Sequence, residues 1–175
     1  GSTADDSAVG VDGSIIAQEG SPNGSGVDNW DNFDLVAINN DGDYIFSGDT
    51  DGSTTTDEFI AYNGTIAIRE GDVIDGVTLT TSAFVRGIAI NNLGQAAFAW
   101  GPNSGADEYL FFSCDASDLA AGAQLVLSTG DTLDFDGNGV ADATVTDFNA
   151  STIVPGLSLA EDGRVFLEVD IDYGA

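Results

Sequence analysis

A strand–turn–strand pattern that occurs three times constrains the fold of this chain more than any other feature. The copies are residues 36–46, 88–98 and 157–167, and their turns read Ile-Asn-Asn-Asp-Gly, Ile-Asn-Asn-Leu-Gly and Leu-Ala-Glu-Asp-Gly. A large apolar residue follows four positions after each of these glycines. Because Gly and Asn tolerate the positive φ of a tight turn, each copy is predicted to be two antiparallel strands joined by a hairpin corner.

Two further kinds of apolar segment accompany the corners. One kind ends in a Gly turn and occurs at residues 15–20, 66–71 and 125–130, and the other occurs at residues 57–62 and 107–112. The first two corners lie 52 residues apart, so each interval holds about four short strands. Four antiparallel strands in about 40 to 50 residues is typical of a propeller blade.

The segment at residues 96–100 alternates large apolar side chains with alanine. Small residues opposite large ones favour a sheet that is covered on both faces, as in stacked blades. The predicted fold is therefore all-β, built from repeated antiparallel four-stranded units that resemble propeller blades. A β-sandwich of two antiparallel sheets is the alternative.

The pattern divides the chain into an arm and one repeat domain. Residues 1–13 are polar and rich in Gly, which predicts a flexible or strand-donating arm. Residues 14–175 form the single domain, with units at about 14–64, 65–122 and 123–175. The third unit ends before any counterpart of residues 57–62 or 107–112, so one sheet edge is expected to be unpaired. Unpaired edges recruit another strand, and the candidates are residues 8–11 of the arm, a strand from a neighbouring molecule, or residues outside this sequence.

The charge balance restricts the function classes. The chain has 30 acidic residues against 3 arginines, no Lys and no His, and its net charge is −27. Nucleic acid and anionic membranes need clustered Lys and Arg, so neither is expected as a partner. Because the chain has no His, a Ser-His-Asp triad and a zinc site with imidazole ligands are both excluded. The single cysteine, Cys114, excludes an intrachain disulfide framework and is expected to be buried.

Self-repulsion at this net charge opposes compaction unless cations bind or screen it. An extracellular or cell-surface location in a saline or calcium-containing medium would supply such cations. No apolar run reaches the length of about 18 residues that membrane insertion requires.

One Asp-rich loop, residues 134–142, has recognisable chemistry. Side-chain oxygens stand at relative positions 1, 3, 5 and 9, and Gly139 stands at position 6. Over about nine residues the loop resembles the calcium loops of EF-hand, dockerin and thrombospondin type 3 repeats. The resemblance implies Ca²⁺ as the ion. The ligands that it implies are Asp134, Asp136, Asn138, the carbonyl of Val140 and Asp142.

The resemblance departs at position 12, where Val145 replaces the bidentate Glu, and Asp147 is the candidate substitute. An Asp- and Gly-rich hairpin loop with no ion is the alternative. A second Asp-rich stretch, residues 41–43 and 49–52, is interpreted as solvated turns.

Aromatic residues provide the competing hypothesis of sugar binding. Trp30, Tyr44, Tyr62, Trp100 and Tyr109 are candidates for a carbohydrate-stacking platform beside Asp and Asn side chains. Aromatic residues at repeat positions are more often part of the core, which is the interpretation favoured for Trp100. The polar neighbours of Trp30 leave both interpretations open for that residue.

The Ile-Asn-Asn-x-Gly repeat, with Glu-Gly-Asp after the preceding strand, resembles repeats in secreted bacterial propeller-like proteins over about residues 15–172. The resemblance implies an extracellular or envelope-associated all-β protein and brings no catalytic residues with it. The leading hypothesis is a secreted, non-catalytic structural or surface-assembly protein, a homo-oligomer or filament stabilised by calcium. The alternative is an extracellular glycan-binding module or a fragment of a polysaccharide-active enzyme.

Overall fold

The computed structural model describes residues 7–80, 83–102, 107–148 and 156–174. This part of the chain is all-β, as predicted, with one short helical segment after the eleventh strand. The first strands are β1 (Ala8–Val11), β2 (Ser14–Gln18), β3 (Trp30–Ile38), β4 (Tyr44–Thr50), β5 (Phe59–Tyr62), β6 (Thr65–Arg69), β7 (Val73–Ile74), β8 (Val77–Thr78) and β9 (Phe84–Ile90). The later elements are β10 (Ala96–Gly101), β11 (Tyr109–Ser113), a 3₁₀ turn (Ala116–Asp118), α1 (Leu119–Gly122), β12 (Ala123–Ser128), β13 (Thr132–Leu133), β14 (Ala143–Asp147), β15 (Ser158–Leu159), β16 (Val165–Phe166) and β17 (Asp170–Asp172).

Two four-stranded antiparallel sheets dominate the fold. Sheet I has the strand order β3-β4-β5-β6 and sheet II the order β9-β10-β11-β12, so each is a meander of consecutive strands. The remaining strands form the hairpins β1–β2, β7–β8 and β15–β16 and the three-stranded sheet β13-β14-β17. The described residues form no closed barrel or propeller. Strand β6, which the sequence pattern assigned to the second unit, pairs with β5 in sheet I.

The Asn-Asn corners adopt the expected turns. In the first corner, Oδ1 of Asn39 accepts hydrogen bonds from the N–H groups of Asp41 and Asp43 at 3.0 and 2.9 Å. Gly42 has a φ of 88°, which an L side chain would strain. The second corner repeats these contacts around Asn91. In each corner, a single side-chain oxygen therefore accepts two of the hydrogen bonds that hold the turn.

The same Asn side chains connect successive corners. Nδ2 of Asn39 donates to the carbonyl of Asn91 at 3.1 Å, and Nδ2 of Asn91 donates to the carbonyl of Ala160 at 3.0 Å. Asn39 and Asn91 are both buried. Ala160 occupies the equivalent position in the third corner and has no side-chain amide to donate further, so the described ladder runs from the first corner to the third.

The sheets pack face to face in layers. The hairpin β1–β2 covers one face of sheet I, sheet II covers the other face, and the segment around β14 covers the far face of sheet II. Every residue of β10 is buried, which confirms the prediction of a sheet covered on both sides. The large buried side chains at these three contacts are, in order, Trp30, Phe46 and Phe59, then Ile45, Ile60, Phe98, Trp100 and Phe111, and finally Leu110, Val145 and Phe148.

Three details differ from the sequence-based expectations or lie beyond them. Residues 8–11 of the expected arm form strand β1, paired with β2, whereas residues 1–6 lie outside the described part. The expectation that Cys114 is buried was wrong, because the side chain of Ser113 takes the buried position at the end of β11 and Cys114 is exposed. Among the described helical segments, none has the length and apolar character needed to cross a membrane.

Substitution of Asn91 tests the corner ladder. Asn91→Ala leaves the N–H groups of Leu93 and Gln95 and the carbonyl of Ala160 without their partner, so we expect the free energy of unfolding to fall by about 2–3 kcal/mol. Urea unfolding measures the loss. Asn40→Ala is the matched control, because Asn40 is exposed and takes part in the ladder through its main-chain N–H. Equal losses in the two variants would contradict the role assigned to Asn91.

Candidate functional site

The first hairpin has the same construction as the second half of sheet I. In β1–β2 the pairs are Ala8↔Gln18, Val9↔Ala17, Gly10↔Ile15 and Val11↔Ser14, and in β5–β6 they are Phe59↔Arg69, Ile60↔Ile68, Ala61↔Ile66 and Tyr62↔Thr65. The register shifts after the second pair in both hairpins, and it does so again in β11–β12.

The connecting turns agree as well. Asp12 and Gly13 have φ values of 50° and 78°, and Asn63 and Gly64 have 47° and 81°. Positive φ at both central residues is typical of a type I′ hairpin turn. The hairpin β1–β2 is therefore equivalent to the third and fourth strands of a four-stranded unit.

The last hairpin, β15–β16, is equivalent to the first and second strands. Its corner carries the main-chain hydrogen bonds Ala160 N–H to Arg164 O at 2.9 Å and Gly163 N–H to Ala160 O at 3.0 Å. The first corner carries the same pair of bonds between Asn39, Gly42 and Asp43. The two hairpins are thus complementary halves of one four-stranded sheet, at opposite ends of the described chain.

Each half has an edge without a strand neighbour among the described residues. Strand β16 pairs with β15, and the following strand β17 pairs with β14 instead of β16. Strand β1 pairs with β2 alone. In sheets I and II the corresponding edges are joined to each other, as β4 to β5 and as β10 to β11. Main-chain groups on these two edges are available for pairing with another chain.

Apolar grooves adjoin both edges. The groove beside β1 has a volume of about 120 Å³, and the groove beside β16 has a volume of about 450 Å³. The first is lined by Val9, Gly10, Val11, Val36, Ala37, Ile38, Tyr44 and Ile45, and the second by Leu110, Phe112, Val126, Leu127, Gly163, Val165, Leu167 and Val169. Val36, Ile38 and Val126 are more than half exposed, as is Phe166 of β16. Both grooves lie where the absent half of a unit would pack.

The structure brings together part of the loop that the sequence identified as a calcium site. Carboxylate oxygens of Asp134, Asp136 and Asp142 lie within 4.8 Å of one another, all near the surface. Val140 lies in the same exposed loop, and Asn138 donates through Nδ2 to Asp136 at 2.9 Å.

Main-chain N–H groups converge on the first carboxylate of this loop. Oδ1 of Asp134 accepts from Gly137 and Asn138, and Oδ2 accepts from Gly139 at 2.8 Å. These bonds, with that from Gly139 the largest, hold the pKa of Asp134 below its usual range. The loop is therefore folded around an ionised Asp134.

Two residues named with the loop lie elsewhere. Asp147 is the last residue of β14, outside the group of three carboxylates, and its charge acts on Arg86 and Glu108. Val145, at loop position 12, is fully buried against Phe148. Burial of this position in the core gives a physical reason why it is not a Glu.

A second acidic cluster lies in sheet I. Carboxylate oxygens of Asp34 in β3, Asp49 in β4 and Glu58 before β5 lie within 4.8 Å of one another. Asp34 is exposed, Asp49 is half-buried and Glu58 is buried. Burial, together with the charges of Asp49 and Asp34, raises the pKa of Glu58 to about 9. The interpretation of Asp49 as part of a solvated turn was therefore wrong, because cross-strand pairing brings it beside Glu58.

Glu58 and its counterpart in sheet II connect the layers. Oε1 of Glu58 accepts a hydrogen bond from the N–H of Val85 in β9 at 3.0 Å, and Oε2 of Glu108 accepts from the N–H of Phe148 at 2.7 Å. Both glutamates are buried. Burial raises the pKa of Glu108 as well. Each sheet therefore uses a buried carboxylate to hold the main chain of the next layer.

The aromatic residues do not form an exposed platform. Trp30 is buried with its ring centroid 4.9 Å from that of Phe59, and Trp100 is fully buried between the sheets. Trp30 is covered by the hairpin β1–β2, so the sugar-stacking interpretation of this residue was wrong. Tyr44 and Tyr62 pack partly against the core clusters.

Comparison of the chain with protein-family models, with curated proteins and with solved structures finds no match. The split sheet and the acidic clusters are therefore the features from which a function is inferred. The cluster of Asp34, Asp49 and Glu58 was missed from the sequence. Alignment of the two Asn-Asn corners places Asp34 at the position of Arg86 in the second corner, but the meeting of the three carboxylates depends on cross-strand register.

Proposed function

We propose that this protein is an extracellular, non-catalytic structural protein that assembles head to tail by completing a split four-stranded sheet. The observation that carries the proposal is the equivalence of β1–β2 and β15–β16 to the two halves of sheet I. In the assembly, β16 of one molecule pairs with β1 of the next, and the new sheet has the order β15-β16-β1-β2. Strand addition of this kind gains affinity from main-chain hydrogen bonds and specificity from side-chain pockets.

The apolar grooves support this pairing. The hairpin β1–β2 of a neighbour would fill the groove beside β16, and β15–β16 of another neighbour would fill the groove beside β1. Ile15, on β2, is 66% exposed in the single chain and would face the groove of about 450 Å³. Burying exposed apolar surface at about 25 cal/mol per Å² favours association.

The assembly that we propose is an open polymer. The two surfaces that meet differ from each other, and such heterologous contacts produce filaments when the rotation does not close. Each molecule contributes two complete sheets and the two halves of a third, arranged in blade-like layers. Propellers close with about four or more blades, and the described residues of one chain leave the β1 and β16 edges without a strand neighbour.

The composition supports a structural role outside the cell. Without His or Lys, and with 30 acidic residues dispersed along the chain, no set of side chains stands out as catalytic machinery. The net charge of −27 suits a medium with abundant cations. In this proposal, Ca²⁺ at the loop of Asp134, Asp136 and Asp142 stabilises the segment between β13 and β14, which packs on sheet II.

Disulfide trapping tests the register of the proposed junction. By equivalence with the pair Ile45↔Tyr62, Phe166 should lie opposite Val11 of the neighbour. Two single variants, Val11→Cys and Phe166→Cys, are each made with Cys114→Ser, mixed and oxidised. We expect a disulfide-linked heterodimer on non-reducing electrophoresis, because paired residues in adjacent strands satisfy disulfide geometry.

The control for this experiment replaces Phe166→Cys by Val140→Cys, which places an equally accessible thiol in the exposed loop. Heterodimer yields no greater for Val11 with Phe166 than for Val11 with Val140 would contradict the proposed register. Trapping is preferable to deletion of the hairpin, because β1–β2 covers Trp30 and its loss would disturb the core.

Calorimetry tests the loop as a calcium site. We expect Ca²⁺ to bind the intact protein and Asp136→Ala to weaken binding at the loop by about tenfold or more, because the variant removes one of the carboxylate ligands. Asp118→Ala is the control, since Asp118 is exposed and its side chain makes no cap hydrogen bond. An Asp136→Ala titration identical to that of the intact protein would refute the loop as a site.

A further inference from the structure

We propose that Asp34, Asp49 and Glu58 bind one hard divalent cation in sheet I, and that this cation replaces the guanidinium group that accompanies the equivalent glutamate in sheet II. The site is separate from the loop of Asp134 and independent of the proposed assembly. Ca²⁺ is the probe that its oxygen ligands favour.

Glu58 and Glu108 have the same structural role in their two sheets. Glu58 and Glu108 both precede the third strand of their sheet, both are buried, and both accept a main-chain hydrogen bond from the next layer. A buried carboxylate needs a compensating positive charge, or it takes up a proton.

Sheet II supplies that positive charge with a side chain. Nη2 of Arg86 lies 3.8 Å from Oε1 of Glu108, and both side chains are at least 95% buried. An added Cβ at Gly101 would lie 2.6 Å from Cγ of Glu108, so this position of β10 has no room for an acidic side chain. One carboxylate and one guanidinium therefore share the space.

Sheet I has acidic residues at the positions where sheet II has Arg86 and Gly101. Alignment of the corners at Asn39 and Asn91 places Asp34 at the position of Arg86 and Asp49 at the position of Gly101. Three carboxylates thus surround the space that holds one in sheet II. The arginines of the chain are engaged elsewhere: Arg69 with Asp28, Arg86 with Glu108 and Arg164 with Asp162. The chain has no Lys or His.

A buried hydroxyl provides an independent indication of a ligand. Ser47 is fully buried, and its Oγ has no hydrogen-bond partner. It lies two residues before Asp49 on β4 and opposite Ile60 on β5. The same register places Asp49 opposite Glu58, so alternation puts the hydroxyl on the face that carries the carboxylates. The equivalent residue in sheet II is Ala99, which has no side-chain oxygen.

The distances suit a cation with oxygen ligands. Two oxygens that each lie about 2.4 Å from Ca²⁺ can be separated by at most about 4.8 Å, and the three carboxylate oxygens satisfy that limit. The exposure of Asp34 gives the ion a path from solvent, whereas Glu58 anchors the site in the core. Binding would then fix Glu58 against the N–H of Val85 and join sheet I to sheet II.

The test uses the full chain with Asp136→Ala and Asp142→Ala together, which leaves the loop with one of its three clustered carboxylates, so that the loop does not contribute to calcium binding. Protein stripped with a chelator is titrated with Ca²⁺, and stoichiometry and the midpoint of thermal unfolding are recorded. We expect one bound Ca²⁺ and a midpoint that rises with concentration, as for any ligand that binds the folded state. Absence of binding in this background would overturn the inference and leave the cluster as a proton-holding group.

Rebuilding the sheet II arrangement in sheet I provides the decisive variant. Adding Asp34→Arg and Asp49→Gly should abolish the calcium response and leave the midpoint in chelator equal to or above that of the background. Asp118→Arg, an exposed substitution with the same charge change as Asp34→Arg, should retain the response. A rebuilt variant that still binds Ca²⁺ as before would refute the site.

Ser47→Ala keeps the test informative if the rebuilt variant does not fold. The substitution removes an unpaired buried hydroxyl, so the midpoint in chelator should stay the same or rise, whereas calcium affinity should fall by about threefold to tenfold. If Ser47 had only a structural role, calcium affinity would not fall while the midpoint in chelator stayed the same or rose. Unchanged affinity would argue against Ser47 as a ligand and against the cation site that it supports.

Discussion

Main-chain pairing between the second and third strands of each four-stranded unit is the constraint on which the rest of the structure depends. This pairing joins β4 to β5 and β10 to β11 and makes each sheet a continuous layer. It is the pairing that β16 and β1 lack within the described chain. Three features are found where this contact is absent. They are the two apolar grooves, the exposed side chains of Phe166 and Ile15, and the short length of β16.

Side chains that cross between layers set the spacing of the stack. The amides of Asn39 and Asn91 connect the corners, and the buried carboxylates of Glu58 and Glu108 hold the main chain of the following layer. These contacts are few, and each involves a buried polar group whose loss leaves partners unsatisfied. In so acidic a protein, the layer contacts depend on how the buried carboxylates are compensated. Sheet II uses Arg86, and the proposed cation in sheet I would couple folding to the ionic medium.

The corners were predictable from sequence because their geometry is local. Asn39 and Gly42 meet the needs of one tight turn, and the second copy repeats them at a fixed offset. The all-β class and the two-sided burial of β10 followed from the same regularity. The layers around these elements depend on contacts between distant residues, which short patterns do not encode.

Signals in the sequence were weaker for the ends of the chain and for the sites. Residues 8–11 lack the large side chains of β5, so their equivalence to β5 became visible only in the pairing register and the turn at Asp12. Trp30 sits among polar residues in sequence, yet the hairpin β1–β2 covers it. Asp34, Asp49 and Glu58 come from three strands and meet only through cross-strand register.

Electron microscopy of the assembled protein, at a resolution that traces the main chain, tests the central claim most directly. The account predicts filaments in which each junction is a continuous four-stranded sheet ordered β15-β16-β1-β2, with Phe166 of one molecule beside Val11 of the next. Isolated single molecules at high protein concentration would contradict the account. So would filaments that are joined through other surfaces, in which β16 of one molecule does not pair with β1 of the next.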